Sequence, residues 1–109
     1  MHHYEAKVLN VVDGDTYDVI IDLGFDIYHR VRLRLYGIDT PEKNTPEGVK
    51  AKDYVTKLLG NNVVEIECLK FEKYGRSLSK VKLNNEDLTE HLIKNGYGKP
   101  YFGEKKEKE

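Results

Sequence analysis

The 109-residue sequence contains one cysteine, no tryptophan and no long apolar run. The lone Cys68 cannot form an internal disulfide, and no second ligand residue stands at the spacing of a metal site. We therefore expect Cys68 to serve as a small apolar residue on a strand. No segment approaches the roughly 20 apolar residues of a membrane-spanning helix, and we therefore expect no membrane partner. The first residues lack the basic and apolar regions of a signal peptide. We expect a cytoplasmic protein, or a secreted one if a signal has been removed.

An excess of positive charge is also missing. The chain has 18 lysines and arginines against 19 acidic residues, so bulk charge does not indicate a nucleic-acid partner. Within residues 30–35, however, arginines alternate with apolar residues, and a strand would place Arg30, Arg32 and Arg34 on one face. Two interpretations of Arg30 and Arg32 stay open: they keep a strand surface soluble, or they contact phosphates.

Periodicity and turn residues predict one small domain. β-forming segments at 4–12, 16–23 and 28–38 are separated by turn residues, as in an antiparallel meander. A helical period at 47–59 ends at Gly60, and Asn85 is the expected cap of a second helix reaching residue 95. With strands at 63–69 and 78–83, the order βββαββα suits a five-stranded oligonucleotide-binding-type barrel with helices, an α+β fold. We expect this domain to cover residues 1–103 and the charged tail at 104–109 to be disordered.

Carboxylates and arginines recur in three separate segments. These are Asp13-Gly14-Asp15-Thr16, Arg34 with the following Asp39-Thr40-Pro41-Glu42, and Arg76. Hydrolysis of a phosphodiester uses hard oxygen ligands for a divalent cation, a carboxylate that acts on water, and guanidinium groups that hold the phosphate. Each segment alone has an ordinary structural explanation as a turn, a strand end or a solvated loop. Their joint occurrence favours a catalytic site.

The same residues resemble a known family. The runs Val12-Asp13-Gly14-Asp15-Thr16, Arg34-Leu35-Tyr36-Gly37-Ile38-Asp39-Thr40-Pro41-Glu42 and Lys73-Tyr74-Gly75-Arg76 are similar to the three signatures of the staphylococcal nuclease (thermonuclease) family, in the same order. Each run is weak evidence alone, but together they are specific. The resemblance implies a five-stranded oligonucleotide-binding-type barrel, in agreement with the pattern above.

The resemblance also implies roles for individual residues. Asp15, Asp39 and the backbone carbonyl of Thr40 match the family's Ca²⁺ ligands, and Glu42 matches its general base or water-orienting residue. Arg34 and Arg76 match the pair that holds the reacting phosphate. Lys73 and Tyr74 match contacts to a neighbouring phosphate, and an aromatic residue near the chain end, taken as Tyr101 although Tyr97 and Phe102 also fit, contacts substrate. The implied substrates are DNA and RNA, cut to leave 3′-phosphate ends.

Three hypotheses remain in competition. The first is a Ca²⁺-dependent nuclease, acting as a monomer on single-stranded DNA and RNA with little sequence preference. The second is a catalytically silent domain of the same family that binds nucleic acid or protein. The third is an oligonucleotide-binding barrel without catalysis, which predicts exposed aromatic residues on its binding face and no calcium dependence.

Overall fold

Five long strands close into a barrel in the computed structural model, which describes residues 2–71 and 75–102. These strands are ordered β3-β2-β1-β5-β6, and a parallel pairing of β3 with β6 closes the ring. All other pairings in the barrel are antiparallel. The elements in chain order are β1 His2–Asp13, β2 Thr16–Asp22, β3 Tyr28–Leu35, β4 Ile38–Asp39, α1 Pro46–Leu59, β5 Val63–Phe71, β6 Arg76–Leu83, β7 Glu86–Asp87, α2 Leu88–Lys94 and β8 Lys99–Pro100.

The alternation in β3 sets the inside and the outside of the barrel. Val31, Leu33 and Leu35 are buried, while the arginines between them point outward. They join one continuous core that both helices cover: Ala6, Val8, Val11, Tyr17, Val19, Ile21, Val31, Leu33, Leu35, Ile38, Val55, Leu59, Val64, Ile66, Val81, Leu88 and Leu92. The predicted five-stranded barrel and the order of its long strands and helices are confirmed.

Helix α1 begins at a well-formed cap. The Thr45 hydroxyl accepts a hydrogen bond from the Gly48 N–H, and Pro46 occupies the first turn, where its missing N–H costs nothing. Gly60 follows the helix as predicted, but with a φ of −48° it does not use its conformational freedom. The left-handed residue is instead Asn61, with a φ of 59°.

The predicted cap of the second helix is wrong. Asp87, not Asn85, caps α2, because its carboxylate accepts a hydrogen bond from the Glu90 N–H at 3.0 Å. Asn85 has a φ of 69° and lies in the turn between β6 and β7, a left-handed position that asparagine tolerates. Neither helix in the described part of the chain has the length and apolar character needed to span a membrane.

Two strand boundaries differ from the prediction and shape the site. β3 ends at Leu35, because Gly37 adopts a φ of 89° and redirects the chain into β4. β4 pairs with β8, a short strand that the sequence pattern did not predict. β6 begins at Arg76, two residues earlier than expected, so this arginine is part of the barrel wall. The tail predicted at 104–109 lies outside the described residues, and its disorder stays a prediction.

Candidate active site

Two carboxylates converge on one arginine at an end of the barrel. The Arg34 guanidinium lies 3.4 Å from the Asp15 carboxylate through Nη1 and 3.9 Å from the Asp39 carboxylate through Nη2. Nη1 also donates to the backbone carbonyls of Leu35 and Ile38, at 2.8 and 2.9 Å. These hydrogen bonds hold the Arg34 side chain in place. Because this side chain is only 15% exposed, its charge interactions are screened less by water than those of a surface arginine.

Asp15 connects the β1–β2 turn to Thr40, the residue after β4. Its carboxylate accepts hydrogen bonds from the Thr16 hydroxyl at 3.2 Å and from the Thr40 N–H at 3.0 Å. Burial alone would raise the pKa of Asp15, but its hydrogen bonds to Asp13 and Thr40 and the charge of Arg34 hold the pKa below its ordinary value. Asp15 therefore stays ionised.

The pKa of Asp13 is shifted in the opposite direction. Burial, and then the hydrogen bond and negative charge of Asp15, raise the pKa of Asp13 to about 6. An Asp13 oxygen also accepts a hydrogen bond from the Asp15 N–H at 3.1 Å, which fixes the turn. The pKa values of these two neighbouring carboxyl groups are thus shifted in opposite directions.

Close backbone approach requires glycine in that turn. A Cβ on Gly14 would lie 2.8 Å from the Thr40 hydroxyl oxygen, so the turn can meet Thr40, the residue after β4, only with glycine there. The buried Tyr17 hydroxyl donates to the Gly14 carbonyl at 2.7 Å and holds the turn from inside. The sequence marked Gly14 as a turn residue, but its contact with Thr40 is a tertiary feature.

A turn ahead of α1 anchors the backbone of Glu42. The Glu42 carbonyl accepts hydrogen bonds from the Thr45 hydroxyl and the Thr45 N–H, at 2.7 and 3.0 Å, while the residue itself is exposed. A Cβ on Gly48 would lie 1.7 Å from the Glu42 carbonyl oxygen. Gly48 therefore lets the turn pack on the helix. Sequence reasoning missed this residue, and its only local signal is a glycine in the first turn of a helix.

Arg76 lies beside the arginine strand. The parallel pairing of β3 and β6 puts it in register with Arg32, one alternate position before Arg34, and on the same outer face. The predicted contacts Lys73 and Tyr74 lie outside the described residues.

Tyr101 is the C-terminal aromatic residue that reaches the site. Its ring centroid lies 5.9 Å from the Arg34 guanidinium carbon, and its N–H donates to the Gly37 carbonyl at 3.1 Å. Tyr97 instead stacks on Tyr54 at 4.2 Å, and Phe102 packs against Tyr36 at 5.7 Å. The pairing of β8 with β4 thus distinguishes three residues that the sequence left equivalent.

Oxygen donors of the kind that calcium binds are present in this group. Asp15 and the 52% exposed Asp39 present carboxylates from two elements, and the adjoining Thr40 carries the third predicted donor, its carbonyl. Calcium accepts six to eight oxygens, including waters, in loose geometry, and the exposed side of Asp39 admits solvent. Within residues 2–71 and 75–102, no three His, Cys, Asp or Glu side chains gather as a metal site, so Glu42 does not join the two aspartates here.

Comparison with known proteins decides the family. The profile described as staphylococcal nuclease homologue matches residues 32–109, more than half of the chain. The chain belongs to this family. It is 39% identical to a thermonuclease of Staphylococcus hyicus over 88% of this chain and 59% of that protein.

Two other proteins are also similar to this chain. An uncharacterized protein of Methanocaldococcus jannaschii is 34% identical, over 92% of this chain and 60% of that protein. A probable staphylococcal-like nuclease of Oryza sativa subsp. japonica is 30% identical, over 83% of this chain and 24% of that protein. The chain thus spans about 60% of the first two relatives and about a quarter of the third.

Proposed function

We propose that this chain is a calcium-dependent nuclease. It hydrolyses single-stranded DNA and RNA with little sequence preference, acts as a monomer, and leaves 3′-phosphate ends. The observation that carries the proposal is the convergence of Asp15, Asp39 and Arg34 from a turn, a short strand and a barrel strand. Family membership and the similar thermonuclease support the same reaction.

Arg34 and Arg76 hold the reacting phosphate in this proposal. The Arg34 guanidinium is oriented by two backbone carbonyls before substrate arrives, so little reorganisation accompanies the reaction. A guanidinium that is already oriented can stabilise the charge that develops in the transition state without rearranging. Its partly buried position also weakens the screening of this interaction by water. Arg76, on the same outer face of the barrel, supplies the second guanidinium.

Glu42 acts on the attacking water. Glu42 is exposed and lies on an anchored turn, so its carboxylate can accept a proton from the attacking water or orient that water on the solvent side of the phosphate. Water attacks phosphorus in line and the bond from phosphorus to the 5′ oxygen breaks. The attacking water gives up one proton, the departing 5′ oxygen takes up one proton from solvent, and the phosphate stays on the 3′ oxygen. Calcium, when held by Asp15, Asp39 and the Thr40 carbonyl, would add positive charge that polarises the phosphate. Tyr101, with Lys73 and Tyr74, would contact the neighbouring nucleotide.

Hydrolysis of denatured DNA and of RNA tests the proposal. Wild type is assayed with millimolar Ca²⁺ and with chelator, beside Arg76→Ala and a matched control, Lys82→Ala, which removes an exposed cation from the same strand. We expect activity that requires Ca²⁺, is retained by Lys82→Ala and falls roughly 10³-fold or more in Arg76→Ala. Products should become extendable by a polymerase only after phosphatase treatment. A folded wild type without activity across pH and Ca²⁺ would refute the enzyme and leave a binding module.

A further inference from the structure

A row of side chains on the outer face of β3 is not used by the proposed reaction. This β3 row consists of Tyr28, Arg30 and Arg32, at alternate positions that lead toward Arg34. At about 3.3 Å per residue, the distance from Tyr28 to Arg34 is about 20 Å, which exceeds what a single phosphate occupies. The row therefore extends from the candidate active site along the barrel wall.

Along this row and the β6 position beside it, three arginines (Arg30, Arg32 and Arg76) face two carboxylates of β2, Asp18 and Asp22. Arg32 binds the Asp18 carboxylate through Nε at 2.9 Å and Nη2 at 3.3 Å. The pKa of Asp18 lies below its ordinary value, mainly because Arg32 donates a hydrogen bond to it. Partial burial opposes this shift, and the positive charges of Arg32 and Arg30 add to it. Two guanidinium groups thus share one carboxylate, and Arg76 lies in register beside Arg32.

An apolar surface accompanies the charged one. Tyr28 is 57% exposed, and it presents an aromatic ring at the outer end of the row. Beside it lies an open hollow of about 330 Å³ on the outer face of the sheet, lined by the apolar residues Ala6, Ile20 and Val63 and by the charged residues Glu5, Lys7 and Asp22. Surfaces that bind single-stranded nucleic acid combine cations that follow the phosphates with aromatic and apolar groups that receive unpaired bases.

We propose that the β3 row binds the stretch of single-stranded nucleic acid that flanks the scissile phosphate. Arg30 and Arg32 contact successive backbone phosphates, and Tyr28 with the adjoining hollow receives bases. Asp18 competes with phosphate for Arg32 and so limits the affinity. The inference rests on the proposed function, because it takes the scissile phosphate to lie at Arg34, where the row ends.

Binding in chelator tests the inference separately from catalysis. Affinity for a fluorescent thymidylate dodecamer is measured by anisotropy over a range of salt concentrations. Each phosphate contact contributes about 0.7 to the salt slope of a single strand, so the pair R30Q/R32Q should lower the slope by about 1.4. R30K/R32K keeps both charges and should retain most of it. The matched control K57Q/K94Q removes two exposed cations from the last turns of the helices and should bind like wild type.

Asp18→Asn provides the opposite perturbation. Removing the competing carboxylate should tighten dodecamer binding and raise the salt slope by up to about 0.7. The same substitution in the R30Q/R32Q background should have no effect, because the arginine that Asp18 restrains is gone.

Hydrolysis distinguishes failure of the inference from failure of the proposed function. R30Q/R32Q should lose about tenfold in kcat/KM on the dodecamer, about 1.4 kcal/mol, and nothing on a dinucleotide that cannot reach the row. A wild type that binds through the row but cleaves nothing would overturn the proposed function alone. A dodecamer salt slope in R30Q/R32Q equal to that of K57Q/K94Q would overturn the inference, as would equal affinity of wild type for duplex of the same length.

Discussion

Gly48→Ala tests whether the contact between α1 and the preceding turn positions Glu42. The new Cβ would lie 1.7 Å from the Glu42 carbonyl oxygen, 2.4 Å from its carbon and 2.9 Å from the Lys43 Cα. These are backbone atoms, so no side-chain rotation relieves the overlap. The turn that carries Glu42 must move by more than ~1 Å before ordinary contact distances return.

The expected loss is larger for the rate than for stability. A displacement of about 1 Å at a catalytic group costs on the order of 10²-fold in rate. Alanine favours a helix over glycine by about 1 kcal/mol, which offsets part of the roughly 1–3 kcal/mol that overpacking costs. We therefore expect a folded protein whose free energy of unfolding lies within about 2 kcal/mol of wild type.

Single-turnover hydrolysis of denatured DNA and thermal unfolding measure the two effects. Val49→Ala, at the exposed neighbouring position, is the control and should leave the rate unchanged. In a double-mutant cycle, Glu42→Gln should cost much less in the Gly48→Ala background than in wild type, because the carboxylate is already displaced. A wild-type rate in Gly48→Ala, or fully additive losses with Glu42→Gln, would refute this account of Glu42.

Three further predictions concern the turns of the site. Since folding raises the pKa of Asp13 to about 6, the folded state binds its proton more tightly. The stabilisation that protonated Asp13 gives the folded state is therefore present below pH about 4 and lost as pH rises to about 6. Asn resembles the protonated carboxyl, so Asp13→Asn should be about 1 kcal/mol more stable than wild type at neutral pH. Denaturant melts in chelator at both pH values measure this, and an unchanged pH profile contradicts it. Tyr17→Phe leaves the buried Gly14 carbonyl without its hydroxyl partner and should cost about 1–3 kcal/mol in the same melts, whereas no loss would show that water replaces the hydroxyl. Thr45→Val removes the helix cap and the hydroxyl's hydrogen bond to the Glu42 carbonyl but keeps the bond from the Thr45 N–H, so it should cost about 1 kcal/mol and lower the rate, while Thr45→Ser should retain all three hydrogen bonds. Equal rates in the two Thr45 variants would separate the cap from catalysis.

Local patterns in the sequence determined the elements of this protein. Alternation in β3 predicted which side chains are buried, and the period of α1 placed Ala51, Val55 and Leu59 against the core. Such features follow from propensity and periodicity, which act between near neighbours in the chain. Arg34 and Asp39 are five residues apart, so they belong to one segment of the chain, but the sequence predicted that their strand runs to Ile38, whereas it ends at Leu35.

Contacts between distant segments were decided only by the tertiary structure. The parallel pairing of β3 with β6 put Arg76 beside Arg32, and the pairing of β4 with β8 brought Tyr101, rather than Tyr97 or Phe102, to Arg34. The local pattern also proposed Asn85 as a cap, but the turn after β6 uses that residue and leaves the cap to Asp87. The need for glycine at position 48 likewise arises from the contact between α1 and the turn at Glu42. The sequence states which residues can form a strand or a turn, whereas their partners depend on how the whole barrel closes over one core.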